Sequence, residues 1–175
     1  MRILNPEHIK AVIDLINQGP YFQLLSMEVK ELDIGYSRVL IDLERKHLNP
    51  FGGIHGGVYS SLIDTAAYWA VYCDVEENAG FISLDVQVDM LSAVKDGLLI
   101  AEGKRIKAGK SICKAEAVVT DRNGKLLARG SSKQIVIPGV QTINQAVSSL
   151  GYQSLPPKYI NVDDLEQTQI MEGNI

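Results

Sequence analysis

The stretch from Asn49 to Cys73, NPFGGIHGGVYSSLIDTAAYWAVYC, constrains this chain more than any other. It opens on a glycine-rich turn, Gly52-Gly53-Ile54-His55-Gly56-Gly57, and continues as an apolar run on Val58, Leu62, Ile63, Ala66, Ala67, Ala70 and Val71. The run is too long for an ordinary strand and is apolar nearly all round, which predicts one long buried helix. It is shorter than a membrane span and carries Asp64 at its middle. A buried carboxylate is costly unless it is paired, hydrogen-bonded or kept for chemistry. The glycines bring backbone N–H groups close to whatever lies at the helix N-terminus, where those donors have no intrahelical partner. One segment thus offers an oxyanion-type donor site at its start and a candidate base two turns on.

The flanking sequence supplies the elements that would cover this helix. Asn5-Pro6-Glu7 reads as a helix start, followed by Ile9, Val12, Ile13 and Ile16 at helical spacing and a stop at Gly19-Pro20. Phe22 to Val29 reads as extended, and Ser37 to Glu44 alternates as a strand. Beyond the polar cluster Asp74 to Gly80, Phe81 to Met90 alternates strictly. Ile82, Leu84, Val86, Val88 and Met90 share one face, and Ser83, Asp85, Gln87 and Asp89 the other. Leu98 to Lys107, Ser111 to Thr120 and Leu126 to Ile137 follow as strands, joined at Ala108-Gly109-Lys110 and at the Asn123-Gly124 hairpin signal. Consecutive strands around one apolar helix predict an α+β layer, a curved antiparallel sheet wrapped around a long central helix and ending in a meander of about four strands.

Residues 1–139 fit one domain with an N-terminal covering helix. Residues 140–175 read as a C-terminal extension: a short helix within Val140 to Leu150, a break at Pro156-Pro157 and an acidic end from Asp163 to Glu172. Its composition predicts a flexible segment, with a neighbouring subunit as a place for it to pack.

Composition excludes several classes. A hydrophobic content of 46% fits a soluble globular chain, and a net charge of -4 argues against wholesale nucleic-acid binding. Cys73 and Cys113 sit in apolar surroundings, as reduced core residues of a cytoplasmic protein would. The N-terminus lacks the apolar core of a signal peptide, and no run is long enough for membrane insertion. His8, His47 and His55 show no metal-ligand spacing, so no metal is expected. No nucleophile-elbow motif marks a serine triad. Tyr59, Tyr68, Trp69 and Tyr72 read as packing and interface residues.

The pattern Asn49…Gly52…His55-Gly56-Gly57…Leu62…Asp64 resembles the signature of the PaaI-like acyl-CoA thioesterases of the hotdog fold. Ser83-Leu84-Asp85-Val86, Gly97, Gly109 and Gly130 fit the same pattern, and the resemblance covers roughly Asn17 to Ile137. It implies that the Gly56 N–H holds the thioester carbonyl, with Gly57 beside it at the substrate. It further implies that Asn49 and His55 orient loop and substrate, that Asp64 is general base or nucleophile, and that Ser83 places the attacking water. No cofactor is implied, since coenzyme A belongs to the acyl-CoA substrate. Hotdog folds also host non-catalytic acyl-CoA-binding modules and enoyl-CoA hydratases or dehydratases, so the fold alone leaves these open.

Lys104, Arg105, Lys107 and Lys110 form the densest basic cluster, flanking the Gly109 turn, and are candidate partners for the phosphates of coenzyme A. Gly56 and Asp64 are eight residues apart, about 12 Å along a helix axis. One carbonyl cannot easily meet the Gly56 N–H and a water on Asp64 across that gap. Two antiparallel copies of the helix would close it, which predicts a homodimer with shared sites. The resemblance implies the same, with dimers often pairing into tetramers.

Overall fold

The computed structural model describes residues 2–161. A short strand β1 (Arg2–Leu4) precedes helix α1 (Pro6–Asn17), which Asn5 caps by accepting from the Glu7 N–H at 3.1 Å. A second helix α2 (Pro20–Leu25) replaces part of the extended segment expected from Phe22. Proline suits the first helical position because it needs no N–H partner there. Ser26, at φ 46, closes the helix in a left-handed turn.

Strands β2 (Met27–Asp33) and β3 (Tyr36–Asp42) form a hairpin turned at Gly35, whose φ of 70 favours glycine. Helix α3 (Gly56–Trp69) follows, then β4 (Ala79–Met90), β5 (Leu98–Ala108), β6 (Ile112–Thr120) and β7 (Leu126–Pro138). Six strands form one antiparallel sheet in the order β2-β3-β5-β6-β7-β4. The expected four-strand meander is therefore three strands, β5-β6-β7, with β4 outside β7. The short turns at residues 109–111 and 121–125 join neighbours, whereas residues 91–97 are long enough to carry the chain across the sheet.

The sheet wraps α3, which buries Leu62, Ile63, Ala66 and Ala67 completely. Full burial of a leucine or isoleucine contributes roughly 1.5–3 kcal/mol. The facing strands present small residues, among them Ala101, Ala115, Ala117 and Ala128, so the helix lies close. Gly103 leaves no room for a Cβ against the Ala66 carbonyl, and the Ser37 hydroxyl donates to that carbonyl at 2.6 Å. No described helix is long and apolar enough to cross a membrane.

The two sheet edges differ. On β2, the Asn17 side chain accepts from the Val29 N–H and donates to the Val29 carbonyl, beside a bulge. Strand β4 pairs only with β7, leaving a twelve-residue edge without a strand partner among the described residues.

The extension packs on its own chain as far as it is described. Helix α4 (Ile143–Ser149) lies on α1, and β8 (Tyr159–Asn161) pairs with β1. The acidic stretch from Asp163 to Glu172 lies outside the described residues. The docking buries Ile143 and Val147 of α4 and, beside them, a set of polar groups. The Lys158 ammonium, wholly buried, donates to the Tyr72 and Val75 carbonyls at 2.6 and 2.7 Å and lies 4.1 Å from the Tyr72 ring centre. The His8 Nδ1–H donates to the Pro156 carbonyl at 2.6 Å, which leaves Nε2 to accept from the Tyr72 hydroxyl at 2.7 Å.

Burial holds the Lys158 pKa down to about 8, against an ordinary 10.5. Between those values the unfolded chain binds more protons than the folded one, so this residue adds stability as pH rises from about 8 to 10.5. Cys73, raised by burial to about 12, contributes the opposite slope above its ordinary 9. Comparison with Lys158→Met therefore isolates the lysine. The wild-type melting temperature, plotted against pH from 7.5 to 10, is expected to run more steeply upward than that of the variant. Parallel curves would remove this cost from Lys158.

Candidate active site

The glycine-rich turn is built around Asn49. Its Oδ1 accepts from the Phe51 and Gly53 N–H groups at 2.9 and 3.3 Å, and its amide donates to the Ile54 carbonyl at 3.2 Å. Buried His47 holds the turn from beneath. Its Nδ1 accepts from the Glu44 N–H, so its Nε2–H donates to the Leu25 carbonyl at 2.7 Å, while its backbone carbonyl accepts from the His55 N–H.

His55 is the N-cap of α3. Its Nδ1 accepts from the Gly57 N–H at 2.9 Å, which occupies that donor. The Gly56 N–H, one residue earlier, has no acceptor among the described residues. The first turn thus presents one open donor, at Gly56, and the helix dipole reinforces it. A contact between Gly57 and substrate would have to use atoms other than its N–H.

Asp64, two turns on, is half-buried rather than enclosed. The Ser83 hydroxyl donates to its Oδ1 at 2.9 Å. The Ser132 hydroxyl lies 3.3 Å from the same oxygen and nearer the Asp85 carbonyl, at 2.7 Å, while the Gln134 amide donates to Ser132 at 2.9 Å. Oδ2 accepts no hydrogen bond among the described residues and is the oxygen open to a proton. One turn further, burial and then the Asp64 carboxylate push the Tyr68 pKa up, so Tyr68 stays a neutral donor to the Phe81 carbonyl.

A bulge delivers Ser83 to this carboxylate. Strict alternation would set Ser83 on the face opposite Val86 and Val88. Instead, Ser83 pairs with Gln134 and Val86 with Ser132, both partners wholly buried, and the register shifts between Ser83 and Asp85. The extra residue turns Ser83 onto the helix face together with Val86, Val88 and Met90, a use of bulges common beside functional sites. Val86 and Met90 nonetheless stay 37% and 53% exposed.

Ser132 and Gln134 went unnoticed in the sequence. Their signal is a polar residue at two successive inward positions of β7, after Ala128 and Gly130. The basic cluster is divided. Arg105 forms an ion pair with Asp74, whose side chain is mostly buried. Lys110 lines a separate cleft with Asp74 and Glu76, and Lys104 and Lys107 are exposed on β5. None of these side chains touches Asp64 within one protomer.

The profile of the thioesterase superfamily matches residues 51–128, from the glycine-rich turn through β6 to the start of β7. An acyl-coenzyme A thioesterase of Mus musculus is 25% identical over 128 residues, 71% of this chain and 91% of that protein. A 1,4-dihydroxy-2-naphthoyl-CoA hydrolase of Listeria monocytogenes is 29% identical over 105 residues, 60% of this chain and 85% of that protein. The crystal structure of a thioesterase from Haemophilus influenzae superposes with a TM-score of 0.70 at 20% identity, covering 76% of this chain and 92% of the other. The antiparallel sheet around α3, the turn that opens α3 and these likenesses agree: the chain has the hotdog fold and is similar to the thioesterase superfamily over residues 51–128.

Proposed function

We propose that the protein is a PaaI-like acyl-CoA thioesterase, releasing a free carboxylic acid and coenzyme A. The observation that carries this reading is the pair of groups on α3: an open Gly56 N–H at its start and an Asp64 carboxylate held by Ser83 in its middle. The acyl-CoA substrates in the names of two relatives support the choice of thioester.

Water adds to the thioester carbonyl carbon, and Asp64 takes its proton while Ser83 holds the carboxylate and the water in line. The carbonyl oxygen becomes an oxyanion on the Gly56 N–H. When the intermediate collapses, the C–S bond breaks and the sulfur leaves with the proton. In the variant route, Asp64 attacks the carbonyl carbon itself, and water then hydrolyses the resulting anhydride. Neither route needs a metal or redox cofactor. Asn49 and His55 shape the turn, and commitment of the His55 Nδ1 to capping disfavours a hydratase that would use it as a base. The first test is thiol release from a panel of acyl-CoAs; no release from any of them would leave a binding module.

The same reading requires two chains. In one protomer Gly56 lies beside Met90, near one end of β4, whereas Asp64 lies beside Ser83, seven residues back along the strand. Antiparallel pairing of two bare β4 edges, with the two-fold axis at Gln87 and the bulge between Ser83 and Asp85 taking up one residue, sets Ser83 of one chain opposite Met90 of the other. Gly56 then faces Asp64 of the second subunit, and the exposed Val86 and Met90 are covered. Such dimers pair further into tetramers in the family that this chain resembles. The buried, unpaired Cys73 and Cys113 suit the reducing cytoplasm.

Lys107 and Lys110 remain as phosphate contacts, whereas Arg105 is held by Asp74. Replacing both lysines by glutamine is expected to raise KM several-fold at low ionic strength, with kcat within about twofold and the difference fading in salt. An unchanged KM at low salt would take them out of the site.

A further inference from the structure

Among the clefts that the hydrolytic step leaves unused, one is lined by aromatic rings. It has a volume of about 330 Å³, with Tyr68, Trp69 and Phe81 on one side and Ile143 and Ala146 of α4 on another. It begins where the Asp64 site ends. Tyr68 stands one helical turn beyond Asp64 on the same face of α3. Phe81 stands two residues from Ser83 on the same face of β4. The Tyr68 hydroxyl is already taken up by the Phe81 carbonyl at 3.0 Å, and the Tyr68 and Phe81 rings meet edge to face at 4.8 Å. Helix α4 lies outside residues 51–128, the part matched by the superfamily profile.

We propose that this cleft receives the acyl group of the thioester and that α4 limits its length. The inference rests on the reading of Asp64 and Gly56 as the hydrolytic groups. The rings and aliphatic side chains select an apolar acyl group. At about 30 Å³ per water-sized group, the volume holds roughly ten non-hydrogen atoms. The substrate class is therefore medium-chain or single-ring aromatic acyl-CoA, and a long-chain acyl group meets α4.

Trp69 is the chain's single tryptophan, so its fluorescence reads this cleft without catalysis. In the Asp64→Asn protein, octanoyl-CoA is expected to change the emission saturably, and coenzyme A alone to leave it unchanged. Ala146→Phe is expected to shift the kcat/KM ratio of octanoyl-CoA to acetyl-CoA at least tenfold toward the short chain. Ile143→Ala, which enlarges the cleft, is expected to shift preference toward longer chains, so the proposal stays testable if the first variant does not fold. An unchanged chain-length profile in the folded variants overturns the proposal. So does a Trp69 signal that ignores octanoyl-CoA or that coenzyme A alone reproduces. A saturable octanoyl-CoA signal in a wild-type protein that turns over no acyl-CoA keeps the cleft and removes the hydrolase reading.

Discussion

Asp64→Asn is expected to lower kcat on the best acyl-CoA by about 100-fold or more, the usual scale for loss of a general base or nucleophile. The substitution is close to isosteric. The side-chain oxygen that accepts from Ser83 at 2.9 Å can be kept, and the nitrogen replaces Oδ2, the oxygen that accepts no hydrogen bond among the described residues. The fold should survive, because Asp64 is half-buried and its hydrogen bond to Ser83 is retained. The melting temperature should therefore stay within a few degrees while turnover collapses. A folded Asp64→Asn protein with near-normal kcat would end both routes through this carboxylate.

Much of the architecture could be read from periodicity. The Asn49–Cys73 stretch announces one buried helix because no other arrangement hides so many consecutive apolar residues, and the helix observed begins at Gly56, within the turn expected to open it. Asp64 stood out as the single acid in that run, and Gly56 through the orphan donors of any helix start. What escaped the sequence depends on partners distant along the chain. The bulge at Ser83 exists only in the register of β4 against β7, so alternation alone set Ser83 on the wrong face. Ser132 lies 68 residues from Asp64, and its approach to that carboxylate follows from the same register.

Charge was the other blind spot. Arg105 read as a free cation because Asp74, its partner, is 31 residues away and reaches it across a hairpin. Lys158 carried no signal in the sequence, and the Tyr72 and Val75 carbonyls and the Tyr72 ring make its burial tolerable. Residues 140–161 dock through buried Ile143 and Val147 together with a few well-placed polar contacts, whose partners lie far away in the chain. The start of α2 at Pro20 belongs to a different class. A proline that ends one helix also suits the first position of the next, and only the left-handed Ser26 shows which role governs.

The central claim is that one site takes its oxyanion donor from one chain and its carboxylate from another, and mixing two inactive proteins tests it most directly. One protein carries Asp64→Asn. The other carries Gly56→Pro, which deletes the N–H at a first helical position that tolerates proline, after His55 at ψ 133, a backbone already suited to the residue before a proline. A Cβ added at Gly56 meets the flexible end of Met90. Each homodimer should be nearly inactive. After subunit exchange, a heterodimer holds one site with both defects and one with neither. Exchange is followed by native mass spectrometry, and thiol release is measured on the same mixture. The shared site predicts activity returning to about half of the wild-type value per heterodimer. Confirmed heterodimers with no recovered activity would place Gly56 and Asp64 of each site within a single chain and contradict the account.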